Sequence, residues 1–431
     1  MQTLNIGIIG VGVVGSAVVR ILEQNKSLIT ARCGVSFVIK QGVTRDIQKS
    51  KKALKGVEIP LSNDIDSILN DAQIDVVIEL MGGVELAYEV AKKALTQKKA
   101  FITANKAMLA YHRTSLKHIA NTTPIGFEAS VGGGIPIIGA LKDGLCANEI
   151  LAIRGILNGT SNYILTQMFE ENKNFHNALK EAQNLGYAEA DPTLDINGMD
   201  AGHKLLILAS LAFGIDALPQ DIVIEGIEGI TSDDMDFAKE FGYVIKLLGI
   251  AKKDKQALEL RVHPTLIQKD SMISKVGGVM NGISVVGDCV GESMYYGAGA
   301  GGEATASSVI ADLMEIARNW RKEEPSKQDE LQTTKSTKPT ITLKKPNEIL
   351  SRYYIRLYTQ DKPGVLSKIT QILGQNNISI KVFLQKQGDE VGVAKLLFST
   401  HTSKESDINN ALKALENLDS ILQKPYKIRM E

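Results

Sequence analysis

The sequence predicts an α/β chain of more than one domain: a doubly wound, largely parallel sheet first, an α+β region next, and a small β/α unit last. Three observations carry this prediction. Residues 4–15, LNIGIIGVGVVG, form a short β-rich run that ends in Gly10, Gly12 and Gly15, where an amphipathic segment, SAVVRILEQN, begins. Strand and helix patterns then alternate to about residue 126, the rhythm of parallel strands with crossover helices. Past a Lys-, Ser-, Thr- and Pro-rich stretch at 321–349, the patterns run strand, helix, strand, strand, helix, strand. A length of 431 residues is itself too great for one typical domain.

Composition excludes several classes. With 49 basic and 49 acidic residues the formal charge is zero, which argues against a nucleic-acid or acidic-membrane partner. Cys33, Cys146 and Cys289 are odd in number and widely spaced, so they suit neither a disulfide framework nor a zinc site. A reducing cytoplasm is the expected compartment. The chain enters a strand pattern at once, with no basic segment ahead of it as a signal peptide would have. The longest apolar run, LLILASLAF, is far too short to span a membrane.

Taken in order, the elements give a site piece by piece. A glycine triplet alone is weak, but between a strand and a helix it becomes a dinucleotide fingerprint. Gly10 permits the tight turn, Gly12 lets the backbone approach a pyrophosphate, and Gly15 lets the helix sit close to the strand, so Gly10, Gly12, Val13, Val14 and Gly15 would hold the phosphates at a helix N-terminus. The second strand, 36–44, ends in Thr44-Arg45 where an NAD-specific fold usually carries an acid, and Asp46 stands one place later. Arg45, or Lys49, Lys51 or Lys52, could meet a 2′-phosphate; the alternative is an ordinary charged loop. The reading leans to NADP, with NAD also usable. Strand 74–80 leads to Met81-Gly82-Gly83, and strand 100–104 leads to Asn105-Lys106. Strand 151–159 meets Thr160-Ser161, expected to cap the next helix. A helix is expected over 235–249, strands near 256–267 and 282–290, and a second glycine-rich turn, YYGAGAGG at 295–302, before a helix to about residue 320.

Residues 182–204, AQNLGYAEADPTLDINGMDAGHK, organise the rest. Asp191-Pro192 reads as a cap and first helical residue of a single turn, and a longer helix starts near Asn197 and stops at Gly214. Asp200 and Lys204 are four apart, the acid first, on one face of that helix. Most such pairs are solvated. Here an almost wholly apolar run follows Lys204, so the lysine would be partly desolvated and suited to proton transfer.

This segment resembles the signature of homoserine dehydrogenases: Ala182, Gly186, Tyr187, Asp191, Pro192, Asp195, Ile196, Gly198, Asp200 and Lys204 stand at the family's spacing. The resemblance extends over nearly the whole chain, to members without a fused kinase and with a C-terminal ACT domain, whose DxPG turn matches Asp361 to Gly364. It implies a Rossmann-type nucleotide domain (1–126 plus a returning helix at about 300–320), a substrate and dimerisation domain (127–299), a linker (321–349) and a ferredoxin-like ACT domain (350–431). The implied reaction is reversible reduction of L-aspartate 4-semialdehyde to L-homoserine, on the route to threonine, methionine and isoleucine. Lys204 would move the proton, with Asp195 positioning and Lys106 beside the nicotinamide and the substrate. Glu189 and Asp200 would hold the substrate ammonium, and Thr160 would contact the substrate. Gly186 and Gly301 would lie near the cofactor. A sodium or potassium ion would bind Glu128 and the main-chain oxygens of Val131, Gly133 and Ile135. A homodimer or homotetramer and an amino-acid effector, threonine, are also implied. The tail is expected to fold independently, with catalysis needing nothing beyond about Asn347.

Two rivals stand beside this reading: a non-catalytic sensor, from another class, and another semialdehyde or amino-acid dehydrogenase. A non-catalytic sensor of nucleotide and amino acid would need neither Lys204 nor its carboxylates. An acylating semialdehyde dehydrogenase would need a nucleophilic cysteine, and no cysteine here sits in such a motif.

Overall fold

The computed structural model describes residues 2–320, 341–388 and 390–431. The chain groups into two compact units, each gathered from three stretches: Met1–Gly159, Asp200–Asp221 and Met280–Ile341 in the first, Thr160–Met199, Ile222–Val279 and Thr342–Glu431 in the second.

In the first unit six parallel strands lie in the order Leu61–Ser62, Ser36–Val43, Thr3–Ile9, Val76–Glu79, Ala100–Thr103, Ile125–Gly126. Their apolar residues (Leu4, Ile6, Ile8, Val76, Ile78, Ile102) pack against Val18, Val19 and Leu22 of the Val13–Gln24 helix. Val309, Leu313 and Ile316 of the Gly302–Trp320 helix join the same core, so that late helix returns to the nucleotide sheet. Ile150–Ile156, Met280–Gly287 and Gly291–Ala298 form an antiparallel trio in this unit. The last of these corrects the expected glycine-rich turn: Tyr295 to Ala298 are strand residues paired with Met280 to Ile283, and only 299–301 remain as the turn.

The second unit holds the strands Tyr243–Asp254, Ala257–Gln268, Tyr426–Met430, Leu350–Gln360, Val393–Thr400 and Ile380–Gln387, in that spatial order. The expected helix over 235–249 is corrected here. The helix runs Ser232–Glu240 behind a Thr231/Asp234 capping box and stops before Gly242, whose φ of 74° is left-handed. Tyr243–Asp254 then pairs antiparallel along all twelve residues with Ala257–Gln268, and that pairing overrides its helical spacing. Thr160 and Ser161 are corrected too: the helix is Gly159–Glu170, so both lie inside its first turn.

The tail follows the predicted β-α-β-β-α-β order, with its own core of Tyr353, Ile355, Leu357, Ile369, Leu373, Leu396, Phe398, Ile408 and Leu415. It is not separate from the middle of the chain, however. On the face away from that core, Arg356 pairs with Asp234, a carboxylate wholly out of solvent, and the Tyr354 hydroxyl donates to the same group at 2.8 Å. Arg429 forms a fork with Glu225 at 2.7 and 2.9 Å. Most of the expected linker, 321–340, lies outside the described residues; the rest is built into the unit, with Thr342–Leu343 running beside Ala257–Leu258. One edge of the Ala257–Gln268 strand is thereby covered in three steps, by Thr342–Leu343, Val223–Ile224 and Arg429–Met430, all parallel to it.

Candidate active site

The helix Met199–Phe213 begins after Asn197, whose Oδ1 accepts the Met199 amide at 2.9 Å, and ends at Gly214 with φ 68°. Its first two turns carry Asp200 and Lys204, only 5% and 8% exposed. Lys204 Nζ donates to Asp200 Oδ2 at 2.7 Å and to the Leu157 carbonyl at 2.7 Å. Lys106 Nζ reaches Asp200 Oδ1 at 2.8 Å, and Asn158 Nδ2 donates to Oδ2 at 2.9 Å. Burial alone would raise the Asp200 carboxyl, but Lys204 and Lys106 win and hold it below the ordinary carboxylate range. Asp200 therefore spends both oxygens on two lysines and an amide. Both lysine ammoniums thus sit on one buried carboxylate.

Asn158 escaped the sequence reading because its partner lies 42 residues on. So did His203, which is 6% exposed, meets Tyr111 edge to face at 5.7 Å, and has its imidazole pKa pushed down by burial. Asn281 is a third: its amide donates to Leu157 O at 3.0 Å, the carbonyl that also holds Lys204.

The glycine loop in the same unit fits a dinucleotide. Gly10 has φ 103°, and a Cβ there would meet Leu80 O at 2.5 Å. A Cβ on Gly15 would meet Gly10 O at 2.2 Å, so both positions require glycine. At Gly12 nothing stands within 4 Å, which leaves the helix N-terminus open to a pyrophosphate. The Val13 side chain is exposed, and Val14 is partly buried beside the sheet core. Gly301 has φ 124°, and a Cβ on Gly302 would meet the Val13 side chain at 3.0 Å. Arg45 is exposed two residues past the strand whose Val43 carbonyl receives the Gly10 and Val11 amides. Asp46 instead caps the next helix by accepting the Lys49 amide at 2.9 Å.

Glu128, also in this unit, accepts the Ile138 and Gly139 amides at 2.8 and 2.7 Å. Gly133 O takes the Ser308 hydroxyl at 2.7 Å, and Ile135 O takes the Ile137 amide at 2.8 Å. Each of these oxygens keeps a lone pair, so with Val131 the loop offers hard donors that fit a monovalent cation. Among the described residues there is no cluster of three His, Cys, Asp or Glu side chains for a metal.

Thr160, Gly186, Glu189 and Asp195 belong to the second unit. Thr160 Oγ1 donates to Tyr187 O at 2.6 Å, tying the helix start to the turn made by Gly186 (φ 74°). Glu189 is exposed beyond that turn, and Asp195 is half-buried in the Thr193–Ile196 turn.

Residues 136–314 match the family model described as homoserine dehydrogenase, 10–125 its NAD-binding domain, and 353–420 an ACT domain. A homoserine dehydrogenase of Helicobacter pylori is 58% identical over 430 residues, covering 100% of this chain and 99% of that protein. The chain belongs to the homoserine dehydrogenase family. Another homoserine dehydrogenase, of Pseudomonas aeruginosa, is 41% identical with the same coverage. The crystal structure of a homoserine dehydrogenase from Thiobacillus denitrificans superposes with a TM-score of 0.93 at 40% identity, covering 100% of this chain and 99% of that one. A hyperthermophilic archaeal homoserine dehydrogenase in complex with NADPH covers 73% of this chain, and this chain 97% of it, at 26% identity and a TM-score of 0.61. Membership in the homoserine dehydrogenase family accounts for the nucleotide loop and the ACT tail, and it makes the chain an NAD(P)-dependent oxidoreductase.

Proposed function

We propose that the chain interconverts L-aspartate 4-semialdehyde and L-homoserine with NADP(H), and that Lys204 moves the proton. The observation that carries this is the buried Asp200 carboxylate, which holds Lys204 on one oxygen and Lys106 on the other. The nicotinamide, when bound, supplies the hydride. As the aldehyde carbon accepts it, the carbonyl oxygen gains a proton from the Lys204 ammonium; in reverse, neutral Lys204 takes the hydroxyl proton. Asp200 and the Leu157 carbonyl fix the direction of Nζ, so little reorganisation is needed during transfer. Lys106, at the end of the fifth sheet strand in Rossmann order, serves nicotinamide and substrate. Glu189 and Asp200 hold the substrate ammonium, Asp195 positions the substrate, and Thr160 lines its pocket.

Gly10, Gly12, Val13, Val14 and Gly15 would hold the pyrophosphate, with Gly186 and Gly301 beside the cofactor. Arg45, free of any cap while Asp46 is engaged, favours the 2′-phosphate of NADP over the bare ribose of NAD. Glu128, Val131, Gly133 and Ile135 would bind sodium or potassium and steady the 128–139 loop without entering a chemical step. Threonine is the effector of the ACT tail, the enzyme is a homodimer or homotetramer, and its compartment is the cytoplasm. Among the described residues no helix is long and apolar enough to cross a membrane.

Initial rates of homoserine oxidation with NADP and with NAD test the reading. Turnover with faster NADP reduction is expected. Tight nucleotide and threonine binding without turnover would instead favour a sensor.

A further inference from the structure

The strand Val76–Glu79 ends in a carboxylate that no part of the proposed chemistry uses, and Glu79 is wholly buried. Its Oε1 accepts the Met81 amide at 2.7 Å, and its Oε2 accepts the Thr103 hydroxyl at 2.7 Å. Thr103, equally buried at the end of the adjacent strand, accepts the Asn105 amide on the same hydroxyl at 2.9 Å. Asn105 then makes two bonds of different purpose. Its Nδ2 donates to Gly83 O at 2.7 Å, and its Oδ1 caps the Lys106–Ala120 helix by accepting the Met108 amide at 3.0 Å. Five hydrogen bonds thus lock two features in one register: the 81–83 loop after one strand, and the helix start after the next that carries Lys106.

We infer that Glu79 and Thr103 are positioning residues for Lys106: they set the helix start from which Lys106 reaches Asp200, and touch neither substrate nor cofactor. The geometry favours this over a packing role. Buried polar groups are bonded whatever their role, but here the bonds run from one strand end through the next to a loop and a helix start, so the network fixes their register. Gly82 and Gly83, both with φ 79°, carry no side chains, and the loop's main chain is held by Glu79 at the Met81 amide and by Asn105 at the Gly83 carbonyl.

The inference rests on Lys106 acting at the site, and the test separates the two. Thr103→Val removes the hydroxyl at nearly constant volume and should lower kcat about 10- to 100-fold, the scale of a misplaced group. The KM for NADP should move less than three-fold. Thr103→Ser should restore most of the rate. In a Lys106→Ala background, Thr103→Val should change kcat less than two-fold, because the group it positions is already gone. Full additivity of the two losses overturns the positioning role, as does wild-type kcat in Thr103→Val. Unchanged kcat in Lys106→Ala alone instead removes Lys106 from the site. If Thr103→Val does not fold, Glu79→Gln, which keeps the shape but loses an acceptor, takes its place in the same cycle. Amide exchange gives a second readout: the Met81 and Met108 amides should become labile together, and loss of protection at only one of them overturns the linkage.

Discussion

At the scale of single residues, what the sequence revealed and what it hid divide by distance along the chain. Asp200 and Lys204 were legible because one helical turn separates them, and the structure gives them a 2.7 Å contact. Asn158, Asn281, Glu79 and His203 were not, since each acts on a partner that only the fold brings near, or reads as an ordinary strand or helix residue. The contact between Asp200 and Lys106 was hidden for the same reason: nothing local announces that Lys106, 94 positions earlier, meets its second oxygen. Lys204→Ala should therefore lower kcat about 10²- to 10⁴-fold, the usual loss when a positioned acid is removed. Asp200 keeps Lys106 in that variant, so its charge is not orphaned and nucleotide affinity should hold. Steady-state rates beside nucleotide titrations check this, and near wild-type turnover would end the assignment.

Among elements, the glycine turn was predictable down to its individual positions because the constraint is steric and local: a Cβ at Gly10 or Gly15 collides with backbone. The stretch 243–249 misled because VIKLLG carries helical spacing, and only the long antiparallel pairing across to Ala257–Gln268 selects the strand. The strand end at Thr44-Arg45 falls between these cases. Its sequence left Arg45, the lysines beyond it and an ordinary charged loop as alternatives, and Asp46 caps the next helix through one oxygen. Arg45→Ala is then expected to weaken NADPH about ten-fold or more and NADH less than two-fold, since a charge-assisted contact to the 2′-phosphate exists only for the former. Fluorescence titration with both nucleotides measures the difference; equal losses would point away from Arg45 and toward Lys49, Lys51 and Lys52.

For the whole molecule, the order of the tail's elements was legible, but its independence was not. Its helix-side core reads clearly from alternation in the strands, whereas nothing local in the sequence announces partners for Arg356, Tyr354 and Arg429. They are in fact committed to Asp234 and Glu225. A chain ending near Asn347 would lose both Asp234 partners, Arg356 and Tyr354, and the Arg429–Met430 pairing that covers the end of the Ala257–Gln268 strand. Truncation is thus expected to lower the melting temperature markedly and turnover with it, rather than yield a deregulated enzyme. Gly364→Asp probes regulation more cleanly. Gly364 has φ 85° with open space around it, so the substitution strains only the turn expected to hold threonine. The full-length variant should fold, keep its rate and lose threonine sensitivity. Wild-type stability in the truncated chain, or undiminished threonine inhibition in Gly364→Asp, would refute the respective expectation.

The stepwise cover on the Ala257–Gln268 strand also sets a timetable for synthesis. Of its three guards, Val223–Ile224 leaves the ribosome before the strand itself, Thr342–Leu343 well after it, and Arg429–Met430 last of all. Throughout translation of residues 269–425 the outer end of that strand, Thr265 to Leu266, presents unpaired backbone to whatever it meets, and unpaired strand edges are what other chains add to. Newly made protein should be most exposed to misassembly in this interval. Slowing translation just before the codons for Tyr426–Met430 would lengthen that hazard, and speeding it there would shorten it.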